Sequence, residues 1–243
     1  MIYLTGDTHI PIDVMKLHEE NWKEQVGLTR SDYLIILGDF GLYWKEDETF
    51  EHWMDWFGSK PFTTLWIDGN HENHAWINSL PVSEWHGGKV HRSLDNLIHL
   101  MRGEIYDIDG KMFLAAGGAD SIDKNRRIVG ETWWEEEQWS YRQQQTMAYN
   151  LEQLRSSGGN LDFVLSHTCP NNIIMPMFGI RNCKDPVSRL LQMVADDYFL
   201  EIEGWYFGHW HADKDFGRFH CLYHEVRRLD FHAEKRFDQR ECI

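Results

Sequence analysis

The chain has 243 residues, 42% hydrophobic and 26% charged, the composition of a soluble globular protein long enough to bury a substantial core. Its formal charge is −15, from 24 Lys+Arg against 39 Asp+Glu, which weighs against tight binding to nucleic acid phosphates. The N-terminus has no basic n-region with an apolar core and no run reaches a membrane span, so one domain over residues 1–243, cytoplasmic and not in a membrane, is expected.

Short apolar runs alternate with amphipathic stretches along the chain. Ile2 to Leu4 reads as a buried strand, with a helical segment expected within Ile12 to Gln25. Tyr33 to Leu37 is a second strand, Asp47 to Phe57 a helix, Thr63 to Ile67 a third strand, and His71 to Asn78 a helix start. This βαβ rhythm predicts a mostly parallel α/β sheet. Between Asn96 and Ala116 the pattern shortens, and Asp109-Gly110 between two apolar runs marks a hairpin. A long helix is expected over Glu135 to Arg155, with acidic residues in its first turn and Ser156-Ser157-Gly158-Gly159 as its stop. Asp162 to Leu165 reads as a strand, and Asp185-Pro186 as the N-cap and first residue of a helix with Val187, Leu190, Leu191 and Val194 inward. Gly204 to Phe207 is a further strand, and Gly217 to Val226 is expected to add antiparallel strand.

Five of these strands run directly into residues able to bind metal. They lead to Asp7-Thr8-His9, Gly38-Asp39, Gly69-Asn70-His71, Ser166-His167 and Gly208-His209-Trp210-His211. Ligand sites of open α/β sheets lie beyond the carboxyl ends of strands, so the five ends are expected to share one cleft. Asp7, His9, Asp39, Asn70, His167, His209 and His211 supply two carboxylates, one amide and four imidazoles. That set is too large for one divalent ion and suits two, with Asp39 as the natural bridge. Each motif alone is weak, but their ordered conjunction is specific.

GDTH (Gly6 to His9), GD (Gly38-Asp39), GNHE (Gly69 to Glu72), SH (Ser166-His167) and GHWH (Gly208 to His211) together resemble the calcineurin-like metallophosphoesterase superfamily, from near residue 1 to about 211. The resemblance implies a four-layer α/β/β/α sandwich with two mixed β-sheets facing each other. It implies one ion on Asp7, His9, Asp39 and His211, and another on Asp39, Asn70, His167 and His209. It makes His71 a catalytic histidine rather than a ligand, placed to protonate a leaving oxygen or to stabilise charge on the phosphoryl oxygens. The mixed nitrogen and oxygen donors suit Mn²⁺, Fe or Zn²⁺. Two such ions lower the pKa of a shared water, which then attacks phosphorus in line.

The sequence departs from the family at the second motif. Relatives commonly read GDxxD or GDxxDR, whereas this chain has Leu42 and Tyr43 at the last two positions. That counts against a phosphoprotein phosphatase and leaves His71 to be oriented by another carboxylate, with Asp120 as the candidate. The long segment from Gly117 to Gln138 carries Lys124, Arg126, Arg127, Trp133 and Trp134, and Arg126 or Arg127 is expected to replace the missing arginine as a phosphate clamp. The tryptophans there either cover the cleft or belong to the core.

The expected activity is hydrolysis of a phosphomonoester or phosphodiester, with a phosphorylated small-molecule or nucleotide-like substrate. The alternatives are a nuclease acting on DNA or RNA, disfavoured by the acidic charge, and a non-catalytic scaffold of the same fold, disfavoured by the intact ligand set. Cys169, Cys183, Cys221 and Cys242 form no CxxC pair and read as reduced thiols. Arg227-Arg228 and Lys235-Arg236 read as a mildly basic, solvated C-terminal end, and nothing in the sequence sets an oligomeric state.

Overall fold

The structure is a computed structural model and describes residues 1–181, 183–198 and 202–231; Lys235-Arg236 and Cys242 lie outside the described residues. The strands, in chain order, are β1 (Ile2–Thr5), β2 (Tyr33–Leu37), β3 (Thr63–Ile67), β4 (Val82–Trp85), β5 (Gly88–Leu94), β6 (Leu97–Leu100) and β7 (Ile105–Ile108). They continue with β8 (Lys111–Ala116), β9 (Phe163–Ser166), β10 (Gly204–Phe207), β11 (Lys214–Phe216), β12 (Phe219–Cys221) and β13 (Arg227–Leu229). The α-helices are α1 (Glu48–Gly58), α2 (His74–Ser79), α3 (Tyr141–Ser156), α4 (Asn171–Phe178) and α5 (Pro186–Tyr198).

The strands form two mixed sheets, one ordered β13-β1-β2-β3-β6-β5-β4 and the other β11-β12-β10-β9-β8-β7. The central strands β1, β2, β3 and β6 pair in parallel, as do β8, β9, β10 and β12, and the edges are antiparallel. The layering follows from side-chain alternation. Ile2, Leu4, Ile35, Leu37 and Leu65 of the first sheet meet Phe113, Ala115, Phe163 and Leu165 of the second in a shared core. On the outer face of the first sheet Tyr3, Leu34, Ile36 and Trp66 pack with Trp53 and Phe57 of α1 and Ile77 of α2. On the outer face of the second, Leu114, Val164, Trp205 and Phe207 meet Met147 and Leu151 of α3, Ile174 of α4 and Leu191 of α5. The result is the four-layer sandwich, and strands buried on both faces explain why their sequences run apolar throughout.

Most elements stand where the sequence puts them. Asp47 caps α1, accepting from the backbone N–H of Thr49 and Phe50 at 3.0 and 3.2 Å. Asp109 and Gly110 take φ of 55° and 79° at the hairpin tip, where Ile108 pairs with Lys111. The Asp185 carboxylate accepts from Val187 N at 2.9 Å and from Ser188 Oγ at 3.0 Å, opening α5.

Four expectations need correction. Ile12 to Gln25 holds no α-helix but the 3₁₀ turns Val14–Leu17 and Lys23–Gly27, because the Gln25 amide donates to the Leu17 and Trp22 carbonyls, each at 2.9 Å. The helix expected from Glu135 starts at Tyr141: Ser140 and Gln143 form a reciprocal capping box, and Glu135–Glu137 is a separate 3₁₀ turn. The segment Gly217 to Val226 contributes only β12, parallel to β10 and antiparallel to β11. Arg227 and Arg228 do not form a basic end, since Arg227 pairs with Asp215 and Glu225 and Arg228 with Asp230.

Candidate metal centre

β1, β2 and β3 are parallel neighbours in one sheet, and β9 and β10 in the other, so their carboxyl ends open on the same side of the sandwich. The expected ligands meet there. Donor atoms of Asp7, His9 and His211 lie within 4.8 Å of one another, as do those of Asp7, Asp39 and His167. Asp39 is central: its Oδ2 is 3.2 Å from His9 Nε2, and its Oδ1 is 3.3 Å from His167 Nε2. Asn70 Oδ1 is 3.1 Å from His167 Nε2. The His209 ring lies 5.0 Å from that of His167, and the His211 ring 5.0 Å from that of His9. His9 with His211, and His167 with Asn70 and His209, thus gather as two groups of donors around Asp39. Asp7 is within 3.8 Å of His167 and so borders both.

The backbone is strained where these side chains emerge. Asp7, His9, Asp39, His209 and His211 have φ of 27°, 35°, 48°, 68° and 45°. Non-glycine residues adopt such angles seldom, at a cost of about 1–3 kcal/mol each, so the surrounding fold must impose them. Two glycines show how tightly the loops close. A Cβ on Gly69 would lie 2.0 Å from Asp39 Oδ1, and one on Gly38, with φ of +87°, 2.2 Å from His167 Nδ1.

The donor set fits divalent ions. His167 Nδ1 is 2.8 Å from the Leu37 carbonyl and His9 Nδ1 is 2.8 Å from Asp13 Oδ2. Each ring is therefore anchored through one nitrogen and presents the other to the cluster, the arrangement of metal-binding histidines. The charge balance also calls for cations. Burial alone pushes His9 and His167 down, but Asp39 and Asp7 outweigh it and raise them to about 9 and about 10. Burial lifts Asp7 to about 6, against the pull of His167. Burial also opposes ionisation of Asp39, yet His167 and His9 hold it well below the usual carboxylate range. Burial, with His167 beside it, drops His209 to about 3, leaving a neutral imidazole. Buried carboxylates that hold protons on adjacent imidazoles are ready to exchange those protons for metal.

His71 sits at the rim. Its backbone N–H donates to Asp39 Oδ1 at 2.7 Å, and its ring is held below its ordinary pKa, chiefly by burial and further by Arg127. Arg127 Nη1 and Nη2 lie 3.0 and 3.4 Å from His71 Nδ1 and Nε2, while Arg127 Nε donates to Asp123 Oδ1 at 2.8 Å. Arg126 is exposed and makes no side-chain hydrogen bond among the described residues. Asp120 does not orient His71: its Oδ1 is taken by Lys124 at 2.5 Å and Gln138 at 2.9 Å. Leu42 and Tyr43 are buried in the outer aromatic core, where Tyr43 stacks on Trp66 at 5.3 Å and bonds Ser93. Trp134 is likewise buried, edge-on to Trp44 at 5.4 Å.

Residues that the motifs did not announce complete the centre. Asp13 anchors His9, and the Lys16 ammonium is wrapped by the carbonyls of Gly6, Asp7 and Tyr223. A cleft of about 690 Å³ opens over Asp39, Asn70, His71, His209 and His211, and its walls include Ile122, Ile180, Trp210, Arg181 and Lys184. No helix among the described residues is long and apolar enough to cross a membrane. A family model described as calcineurin-like phosphoesterase matches residues 1–213. No curated protein matches the chain closely.

Proposed function

The chain belongs to the calcineurin-like phosphoesterase family, metal-dependent hydrolases of phosphoesters, and from that premise we propose that it hydrolyses a small or nucleotide-like phosphomonoester or phosphodiester with two divalent ions. The observation that carries this reading is the convergence of donors from five parallel strand ends on Asp39. Asp7, His9, Asp39 and His211 would hold one ion, and Asp39, Asn70, His167 and His209 the other; Mn²⁺, Fe and Zn²⁺ suit these donors. Bound there, the ions would supply Lewis acidity toward phosphoryl oxygens and toward a nucleophilic water.

The chain's own residues do the rest. Asp39 fixes the separation of the half-sites and, through its bond to the His71 backbone, the position of His71. His71, kept neutral near pH 7, donates a ring N–H to a phosphoryl or leaving oxygen. Arg127 takes the place of the arginine absent at Tyr43, its planar fork binding phosphate oxygens bidentately. A cleft of about 690 Å³ has room for more than a phosphate, and Ile122, Ile180 and Trp210 offer apolar surface to the rest of the substrate. The net charge of −15 disfavours long nucleic acids.

The test is a screen of chromogenic monoesters and diesters, nucleotides and phosphorylated metabolites with added Mn²⁺. At least one ester is expected to turn over, with activity removed by chelator and by Asp39→Asn. Protein shown to carry metal yet inactive on every ester would establish a non-catalytic scaffold instead.

A further inference from the structure

Glu135, Glu136 and Glu137 follow one another in sequence, yet only Glu137 is buried, at 0% exposure. It lies on the turn that closes the long segment after β8, and its carboxylate meets Ser121, which lines the cleft. Glu137 Oε1 accepts the Ser121 backbone N–H at 3.0 Å, and Oε2 accepts the Ser121 hydroxyl at 2.6 Å. The same Ser121 Oγ accepts Asn70 Nδ2 at 3.0 Å. All three side chains are buried.

With Glu137 as a carboxylate, a proton count along this chain has one solution. A carboxylate only accepts hydrogen bonds, so the single Ser121 hydroxyl proton is committed to Glu137. Toward Asn70, Ser121 has only lone pairs to offer. The Asn70 atom facing Ser121 must therefore be the NH₂ group, and the amide oxygen must face the other way, toward His167 Nε2 at 3.1 Å. An amide binds a cation through its oxygen and repels it through its NH₂.

We propose that Glu137 and Ser121 are positioning residues of the metal centre, locking the Asn70 amide with its oxygen toward the ion. The inference rests on the metal-dependent reading above but on no particular substrate. The Gly117 to Gln138 segment thereby acquires a second role, since the loop that carries Arg127 also sets the orientation of a ligand from β3.

The lock has a reversible sense. In Glu137→Gln the Ser121 backbone N–H still requires an acceptor, so the new amide oxygen takes that place and its NH₂ points at Ser121 Oγ. Ser121 then accepts from Gln and turns its proton toward Asn70, which inverts Asn70 and presents NH₂ to the ion. In Asn70→Asp the opposite holds. With Glu137 intact, an Asp oxygen meets the lone pairs of Ser121, and Glu137→Gln relieves that clash by freeing the hydroxyl proton.

Mn²⁺ affinity and stoichiometry are measured by chelator competition and electron paramagnetic resonance on the full chain. The variants are Glu137→Gln, Ser121→Ala and Asn70→Asp, with each of the first two also placed in the Asn70→Asp background. Melting of the metal-free proteins checks that each folds. Glu137→Gln is expected to weaken one Mn²⁺ by about 10–100-fold, and Ser121→Ala by less. In the Asn70→Asp background both changes should instead strengthen binding. The sign reversal is the signature, since a merely structural role would weaken binding in both backgrounds. Unchanged affinity in Glu137→Gln, or equal losses in both backgrounds, overturns the proposal. If Glu137→Gln does not fold, the two Ser121→Ala comparisons decide by the same reversal. Wild-type protein that binds no divalent ion would defeat the metal reading itself, a result distinct from wild type and variant binding alike.

Discussion

Stripping metal from the centre and adding it back at controlled pH should release about two protons per chain near pH 7.5. The magnitude comes from His9 and His167, raised to about 9 and about 10 by Asp39 and Asp7 against the effect of burial. At pH 7.5 both rings carry a proton in the metal-free protein, whereas a metal-binding imidazole must be neutral. Protons and metal thus compete for the same nitrogens, and lowering the pH weakens binding. With one proton displaced at each ion, the product of the two affinities should rise about 100-fold per pH unit between 7 and 8.5. The slope should halve between the two pKa values and vanish above about 10. Below about 6, where Asp7 also takes up a proton, it should steepen again. Calorimetric titration with Mn²⁺ in buffers of different ionisation enthalpy reads the proton number directly. A binding heat independent of buffer at pH 7.5 would refute the charge balance assigned to the cluster.

The same shifts set the stability of the chelated protein. A histidine whose folded pKa is raised stabilises the fold fully below its unfolded value near 6.5 and loses that contribution as pH climbs through the folded value. The metal-free protein should therefore melt at progressively lower temperature from pH 6.5 to 10, with the metal-loaded protein much less affected, as scanning calorimetry would show. Arg127→Ala should lower kcat/KM at least tenfold and Arg126→Ala less than twofold, because only Arg127 reaches His71; equal effects in steady-state kinetics would remove the clamp assignment. Gly69→Ala drives a Cβ to within 2.0 Å of Asp39 Oδ1 and should cost about 1–3 kcal/mol in denaturant unfolding together with most of the bound metal. Asp47→Ala removes the cap of α1, remote from the cleft, and should cost about 1 kcal/mol with Mn²⁺ affinity unchanged.

The strands that build the sandwich were legible because their signal is local. Tyr33–Leu37 and Gly204–Phe207 are unbroken apolar runs, Thr63–Ile67 turns apolar at Leu65, and each ends where a polar motif begins. The hairpin β4–β5 was not legible. Its first strand alternates exposed and half-buried positions, and its turn uses His86 at φ of 50° before Gly87 at 90°. A histidine in that conformation carries no turn signal in sequence. α4 was hidden by Pro176 in its interior, and the start of α3 by an acidic run that mimics a first helical turn.

The ligand motifs lie in the sequence because metal chemistry restricts the residue types and strand geometry restricts where they follow. Side chains that orient those ligands obey no such local rule. Glu137 and its neighbours Glu135 and Glu136 have the same chemistry, as do Arg127 and Arg126. One of each group faces the centre because the loop after β8 packs down onto the loop that follows β3, bringing Ser121 beside Asn70 and Arg127 beside His71 across 51 and 56 residues of chain. By itself the sequence determined the fold class and named the candidate donors, since both are written in short-range pattern. Only the tertiary structure decided which carboxylate and which guanidinium support that set, because burial and approach across the chain are properties of the packed loop and not of any residue in it.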